Sequence, residues 1–174
     1  ADLNKDVEFA YESINTRLIV PLNFLKYPNA NMLIYGRADK VYRSHGTLIV
    51  EESKFPFNPN KYLQTFEPYP DHKLQTLLYL NSLFASENSL DSRTWFEIPH
   101  SQKAWIIKVK DRKNGETIKT FRGLQTSELE HYMRFNLQRF AQIAAGELLP
   151  QHHGRQAKCA KCRIENCQQN LALK

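Results

Sequence analysis

Read for the spacing of its apolar positions, the chain switches between helical repeats and the two-residue repeat of strands. Leu3 to Ile14 is expected to be a helix, because Val7, Ala10, Tyr11 and Ile14 fall at helical spacing. Arg17 to Asn23 and Met32 to Tyr42 read as strands, separated by the turn-prone Tyr27-Pro28-Asn29. His45-Gly46 makes a tight connection to a third run, Thr47 to Glu52, so the second and third strands are expected to form a hairpin.

From Phe55 to Asp71 the chain holds Pro56, Pro59, Pro68 and Pro70, which rule out a regular helix or a central strand. That segment reads as a surface loop. His72 to Ser86 is expected to be helical, with Leu74, Leu77, Leu78 and Phe84 on its apolar face. Lys103 to Lys110 and Thr117 to Arg122 form a second expected hairpin around Asn114-Gly115. Ser127 and Glu130 have capping-box spacing and open a helix from Glu128 to about Leu149, ended by Pro150. Its apolar positions include Leu129, Tyr132, Met133, Leu137, Phe140 and Ile143. The order helix, strands, helix, strands, helix implies an α/β fold with a mixed sheet flanked by helices.

Composition narrows this picture only a little. The 174 residues suit one domain, expected at 1–149, followed by a basic, cysteine-bearing tail at 150–174. No stretch approaches the roughly 18 consecutive apolar residues of a membrane span. The net charge of +6 favours polyanionic partners without proving one. The three cysteines, Cys159, Cys162 and Cys167, crowd into the tail. An odd count in a short cluster is a poor disulfide framework, so metal or iron–sulfur ligation in a reducing cytoplasm is the expectation.

The candidate chemistry lies in the first hairpin. An apolar run that ends in Glu51, Glu52 and Lys54 buries charges that something must compensate. On a strand, Glu52 and Lys54 share one side while Glu51 and Ser53 face the other. Pairing across the hairpin brings Asp39 beside Glu52. Two such carboxylates can hold Mg²⁺ or Mn²⁺ through oxygen, and a neighbouring lysine can orient a water or bind a phosphate. An ordinary hairpin with charged ends is the competing reading, since an acid-x-Lys tripeptide is common.

Two further features add to it. Gly36 stands three residues before Asp39, and Gln75 and Tyr79 lie four apart on one helix face. The ordered set, Gly-x-x-Asp, then Glu-x-Lys, then Gln-x-x-x-Tyr, resembles the motifs of the RecB-like branch of the PD-(D/E)XK nucleases. The tail, Cys159-x-x-Cys162 followed by Cys167, is similar to that of RecB-like nucleases with an iron–sulfur cluster, the small CRISPR-associated exonucleases among them.

The resemblance implies a restriction-endonuclease-like core and a Mg²⁺- or Mn²⁺-dependent deoxyribonuclease acting on single-stranded DNA or DNA ends. It implies Asp39 and Glu52 as metal ligands and Lys54 as the catalytic cation. Gln75 and Tyr79 would position the substrate strand, and the tail cysteines would hold a 4Fe-4S cluster, with Zn²⁺ the alternative. It further implies DNA as partner, together with CRISPR-associated or repair proteins, in antiviral defence or DNA repair. A catalytically impaired binding module of the same fold and the nuclease domain of a helicase–nuclease complex are the alternatives.

The chain departs from the pattern in having no fourth cysteine and no histidine before His45. Its start at Ala1 leads to the expectation that a preceding segment supplies both. Glu8 or Glu12 is the substitute carboxylate within the chain, and His152 or His153 the substitute ligand in the tail. His72 and Lys73 are further candidates for phosphate contact. Trp95 is a candidate for base stacking, whereas Trp105 sits in a strand pattern and reads as core.

Overall fold

A computed structural model describes residues 7–22, 25, 31–84 and 100–149. Among these described residues six strands and two α-helices follow one another as β1 (Val7–Pro21), β2 (Asn31–Ser44), β3 (Thr47–Lys54), α1 (Pro70–Leu80), β4 (Leu83–Phe84), β5 (Lys103–Lys110), β6 (Thr117–Leu124) and α2 (Ser127–Ala144). The strands form one mixed sheet in the order β4-β1-β2-β3-β5-β6. β1, β2 and β3 make an antiparallel meander, α1 lies in the crossover to β5, which runs parallel to β3, and β6 returns antiparallel to β5. The α/β class with a mixed sheet is therefore as the sequence implies.

The first element is not a helix. Val7 to Pro21 is a 15-residue strand paired along its length with β2. Backbone bonds to a long neighbour outweigh a helical spacing that rested on four residues. The β2–β3 connection is the expected tight turn, with His45 at φ 50° and Gly46 at φ 71°. Two successive left-handed residues match the twist of a two-residue hairpin.

The proline-rich segment is mostly surface loop but contains a short 3-10 turn, Pro59–Tyr62, that buries Tyr62. α1 begins two residues earlier than expected, with Pro70 in its first turn, and ends at Leu80. Phe84 therefore belongs to β4 and not to the helix. α2 is capped one residue before the expected position, by Thr126, whose Oγ1 accepts the Leu129 amide at 3.2 Å. Glu130 instead binds Arg134, one turn on. The helix stops at Ala144, short of Leu149, and Phe140 is exposed on it.

Alternation decides what is buried. Leu48, Val50 and Glu52 of β3 and Lys103, Trp105, Ile107 and Val109 of β5 face inward, every second residue. Leu77 and Leu80 of α1 and Met133 and Leu137 of α2 complete the core with Val41, Tyr62 and Phe121. Trp105 is core, as its strand pattern implies. By contact density the chain divides into Ala1–Gln138, which holds the sheet and α1, and Arg139–Lys174. Among the described residues no helix is long and apolar enough to cross a membrane.

Candidate active site

The β2–β3 ladder runs from Ser44 opposite Thr47 to Lys40 opposite Glu51 and stops there. One residue further along, side chains replace the ladder. The Asp39 amide donates to Glu52 Oε1 at 3.0 Å, and the Ser53 amide donates to Asp39 Oδ2 at 2.7 Å. Two carboxylates thus close a splayed strand pair that backbone groups alone would leave open, and each satisfies an amide of the other strand. The expected pairing of Asp39 with Glu52 is present in this reciprocal form.

A local change of phase aims Asp39. Along β2 the inward positions are Ile34, Gly36 and Ala38, and then Val41, so the alternation slips by one residue at Asp39 and Lys40. The neighbouring strand shows the matching irregularity. Glu12 pairs with Lys40 and Ile14 with Ala38, but the ladder skips Ser13 opposite Asp39. Ser13 sits at φ 53°, in the left-handed region, and its carbonyl accepts Arg37 Nε at 2.9 Å. The register itself is kept, so both strands share the slip, and Asp39 stays exposed at the strand end where its carboxylate meets the Ser53 amide.

Glu52 and Lys54 share the inner face, and Glu51 lies on the other, where it pairs with Lys108 at 2.7 Å. Lys54 Nζ donates to Glu52 Oε2 at 3.3 Å and to Gln75 Oε1 at 2.6 Å. Gln75 Nε2 in turn donates to Tyr79 Oη at 2.9 Å. The amide orientation follows from the donors: an ammonium offers only protons, so the Gln75 oxygen must face it. One helical turn separates Gln75 from Tyr79, which is why both reach the same strand end from α1.

Gly36 fixes where Tyr79 lies. A Cβ at Gly36 would stand 3.2 Å from Tyr79 Cζ and Oη and closer still to Cε1. The glycine of the Gly-x-x-Asp string is thus the seat of the tyrosine of the Gln-x-x-x-Tyr string, and Gly36, Asp39, Glu52, Lys54, Gln75 and Tyr79 form one assembly.

Glu52 is only 2% exposed. Burial pushes its pKa above the ordinary carboxyl value, and the Asp39 carboxylate adds to this, while the Asp39 amide and Lys54 oppose it. The site therefore holds an anion that its surroundings under-compensate. His72 lies near Lys54 on the first turn of α1, its ring stacked at 6.2 Å on Tyr62. Burial holds its pKa down; Asp71 opposes that, and the Lys54 charge reinforces it. Its Nδ1 is buried without a hydrogen-bond partner among the described residues. The sequence marked His72 as a candidate for phosphate contact at a charged helix start. Lys73 is bound to Glu67 at 3.1 Å and lies over the Trp105 ring at 5.7 Å.

Asp39 and Glu52 suit a hard divalent cation. Each carboxylate oxygen has two lone pairs, and the observed bonds use one on Asp39 Oδ2 and one on each Glu52 oxygen. The under-compensated charge on Glu52 gives such an ion something to neutralise. No group of three or more His, Cys, Asp or Glu side chains comes together among the described residues. Glu12 stands exposed on a strand and not on a helix. The Glu8 side chain, Trp95, His152, His153, Cys159, Cys162 and Cys167 lie outside the described residues.

No protein-family model matches the chain, and no curated protein does. A solved structure of SSO0001 is similar over 88% of this chain at 16% identity, with a TM-score of 0.49. The match covers 56% of that protein, so this chain spans little more than half its neighbour's length. The chemistry is therefore carried by the site's own geometry.

Proposed function

We propose that the chain is a metal-dependent deoxyribonuclease of the RecB-like PD-(D/E)XK type, with a restriction-endonuclease-like core. The reading is supported above all by one observation: Asp39 and Glu52 converge across the β2–β3 splay while Lys54 is held beside them by Gln75 and Tyr79. In this reading Asp39 and Glu52 hold Mg²⁺ or Mn²⁺. When bound, the cation supplies Lewis-acid charge at a phosphodiester and lowers the pKa of a water.

The remaining steps belong to the chain's own residues. Two of the three Lys54 ammonium protons are spent on Glu52 and Gln75, and the third points a positive donor at the attacking water or a phosphate oxygen. Gln75 keeps the ammonium from rotating. Tyr79, which accepts from Gln75, retains its hydroxyl proton for the substrate strand. Single-stranded DNA or DNA ends, in antiviral defence or repair, are the substrates this family reading brings with it.

The test is cleavage of labelled single- and double-stranded DNA with Mn²⁺. Asp39→Ala is expected to abolish it, and Lys54→Ala to slow it by about 10²–10³-fold. Unchanged cleavage in either variant overturns the assignment. The presence of only two acids in the described site favours a second reading, a binding module that holds DNA in a salt-dependent way without cutting it. Wild-type binding with no cleavage under any divalent cation selects that reading. For the tail, we propose ligation of a 4Fe-4S cluster, or of Zn²⁺, by Cys159, Cys162 and Cys167, and elemental analysis of anaerobically purified protein decides between them.

A further inference from the structure

Directly after Lys54 the chain turns out of the sheet as Phe55-Pro56-Phe57. Phe57 is 93% exposed and Phe55 about half exposed. One exposed aromatic needs no explanation, but two grouped on one short segment make a candidate contact surface. Two prolines, Pro56 and Pro59, stiffen the segment that carries them, so the rings are presented at low entropic cost.

Both rings already carry cations. Lys110 Nζ lies 5.9 Å from the Phe55 centroid, and the Arg112 guanidinium lies 4.2 Å over Phe57. The parallel register explains the meeting. Lys54 stands opposite Val109, so the segments leaving β3 and β5 emerge side by side. The β5–β6 turn also contains Lys113, Asp111 and Glu116, but its acids serve the turn itself. Asp111 Oδ1 accepts the Lys113 amide at 2.7 Å, and Glu116 Oε2 accepts Asn114 Nδ2 at 2.9 Å. Arg112 is exposed with Phe55 and Phe57, while Lys110 is half-buried.

We infer that Phe55 and Phe57, flanked by Lys110 and Arg112, form a shelf on which single-stranded DNA stacks on its way to Lys54. This rests on the nuclease reading for the position of the scissile phosphate. Arg112 covers one face of Phe57 and leaves the other for a base. A base has a π-face to offer only when it is unpaired at its neighbour's side, and the cations sit where the phosphates of such a strand must pass. A duplex keeps its bases stacked on one another and gains only the phosphate contacts.

Fluorescence anisotropy of fluorescein-labelled oligothymidylate with the full chain in EDTA tests the shelf without cleavage. The wild type is expected to bind the single strand more tightly than a duplex. Phe57→Ala should weaken single-strand binding about tenfold, leaving duplex binding and melting temperature unchanged, and Phe57→Trp should restore it. Arg112→Ala should reduce the magnitude of the single-strand salt slope by about 0.7. An oligonucleotide carrying 5-iododeoxyuridine, irradiated and digested with trypsin, should form its adduct within the peptide from Phe55 to Lys61. Adducts found only elsewhere, equal losses on single strand and duplex, or wild-type affinity in Phe57→Ala overturn the shelf, as does absence of single-strand binding. Cleavage with Mn²⁺ on the same oligonucleotide separates the two ideas. Cutting with wild-type affinity in Phe57→Ala removes the shelf alone, whereas binding through Phe57 without cutting removes the nuclease and leaves the shelf.

Discussion

At the residue scale the site turns on a carboxylate placed against its own solvation. Burial raises the pKa of Glu52 in the folded chain, so the native state holds this proton after the unfolded chain has lost it. Stability therefore falls as pH rises from the ordinary carboxyl value through the folded pKa, and the ionised Glu52 is a standing cost at neutral pH. Glu52→Gln keeps an oxygen for the Asp39 amide and removes the charge. It is expected to melt several degrees above the wild type near neutral pH, with the gap closing as pH falls through the folded pKa of Glu52, and to cleave nothing. Thermal denaturation across a pH series checks this, and a gap of constant size would show that ionisation is not its source. Strand parity alone separated Glu52 from Glu51, and a four-residue spacing placed Gln75 with Tyr79. The amide bonds of Asp39 and Ser53 were not legible, because they arise from a splay between strands. Nor was the contact of Gly36 with Tyr79, which depends on where α1 crosses β2.

At the scale of elements the N-terminal strand shows how a helix-like spacing can arise from two strand phases. Ile14, Thr16 and Leu18 are buried at every second position, whereas Tyr11 is half-buried and Glu12 and Ser13 are both exposed, so the alternation slips by one residue before Ile14. The three-residue separation of Tyr11 and Ile14 spans that slip and is not a helical turn. Ser13 marks the slip, with φ at 53°. Since a left-handed conformation costs an L-residue roughly 1–2 kcal/mol, Ser13→Gly is expected to stabilise the chain by about 1 kcal/mol after the entropy of glycine is counted. The Arg37 bond is to the Ser13 carbonyl and survives the change. A raised denaturation midpoint at unchanged m-value is the measurement, and a lowered midpoint would mean that the serine side chain matters. β5 was legible because it carries a single unbroken period, and α1 was legible in its body but not at its ends, where Phe84 falls in β4.

For the molecule as a whole, the mixed α/β sheet followed from the order of elements, but the strand order did not. The tight turns specify the β2–β3 and β5–β6 pairings locally, but nothing local tells β3 to pair with β5; that choice is made by which apolar faces bury together. Its effect is to bring residues from β2, β3 and α1 to one end of the sheet. The cation proposed for Asp39 and Glu52 would tie two strands and stabilise only the folded chain. At a hundredfold excess over its Kd, Mn²⁺ should add about 2.7 kcal/mol, read as a rise in melting temperature, and Asp39→Asn should remove most of that rise. An equal rise in both proteins would place the ion elsewhere.

The splay between β2 and β3 also gives the site a built-in spectroscopic gauge. The amides of Asp39 and Ser53 are bonded to the very carboxylates that set the local charge, so their proton resonances track that charge. Titration with acid or with a diamagnetic cation such as Mg²⁺ is then visible at two assigned backbone signals, with no label, substrate or turnover.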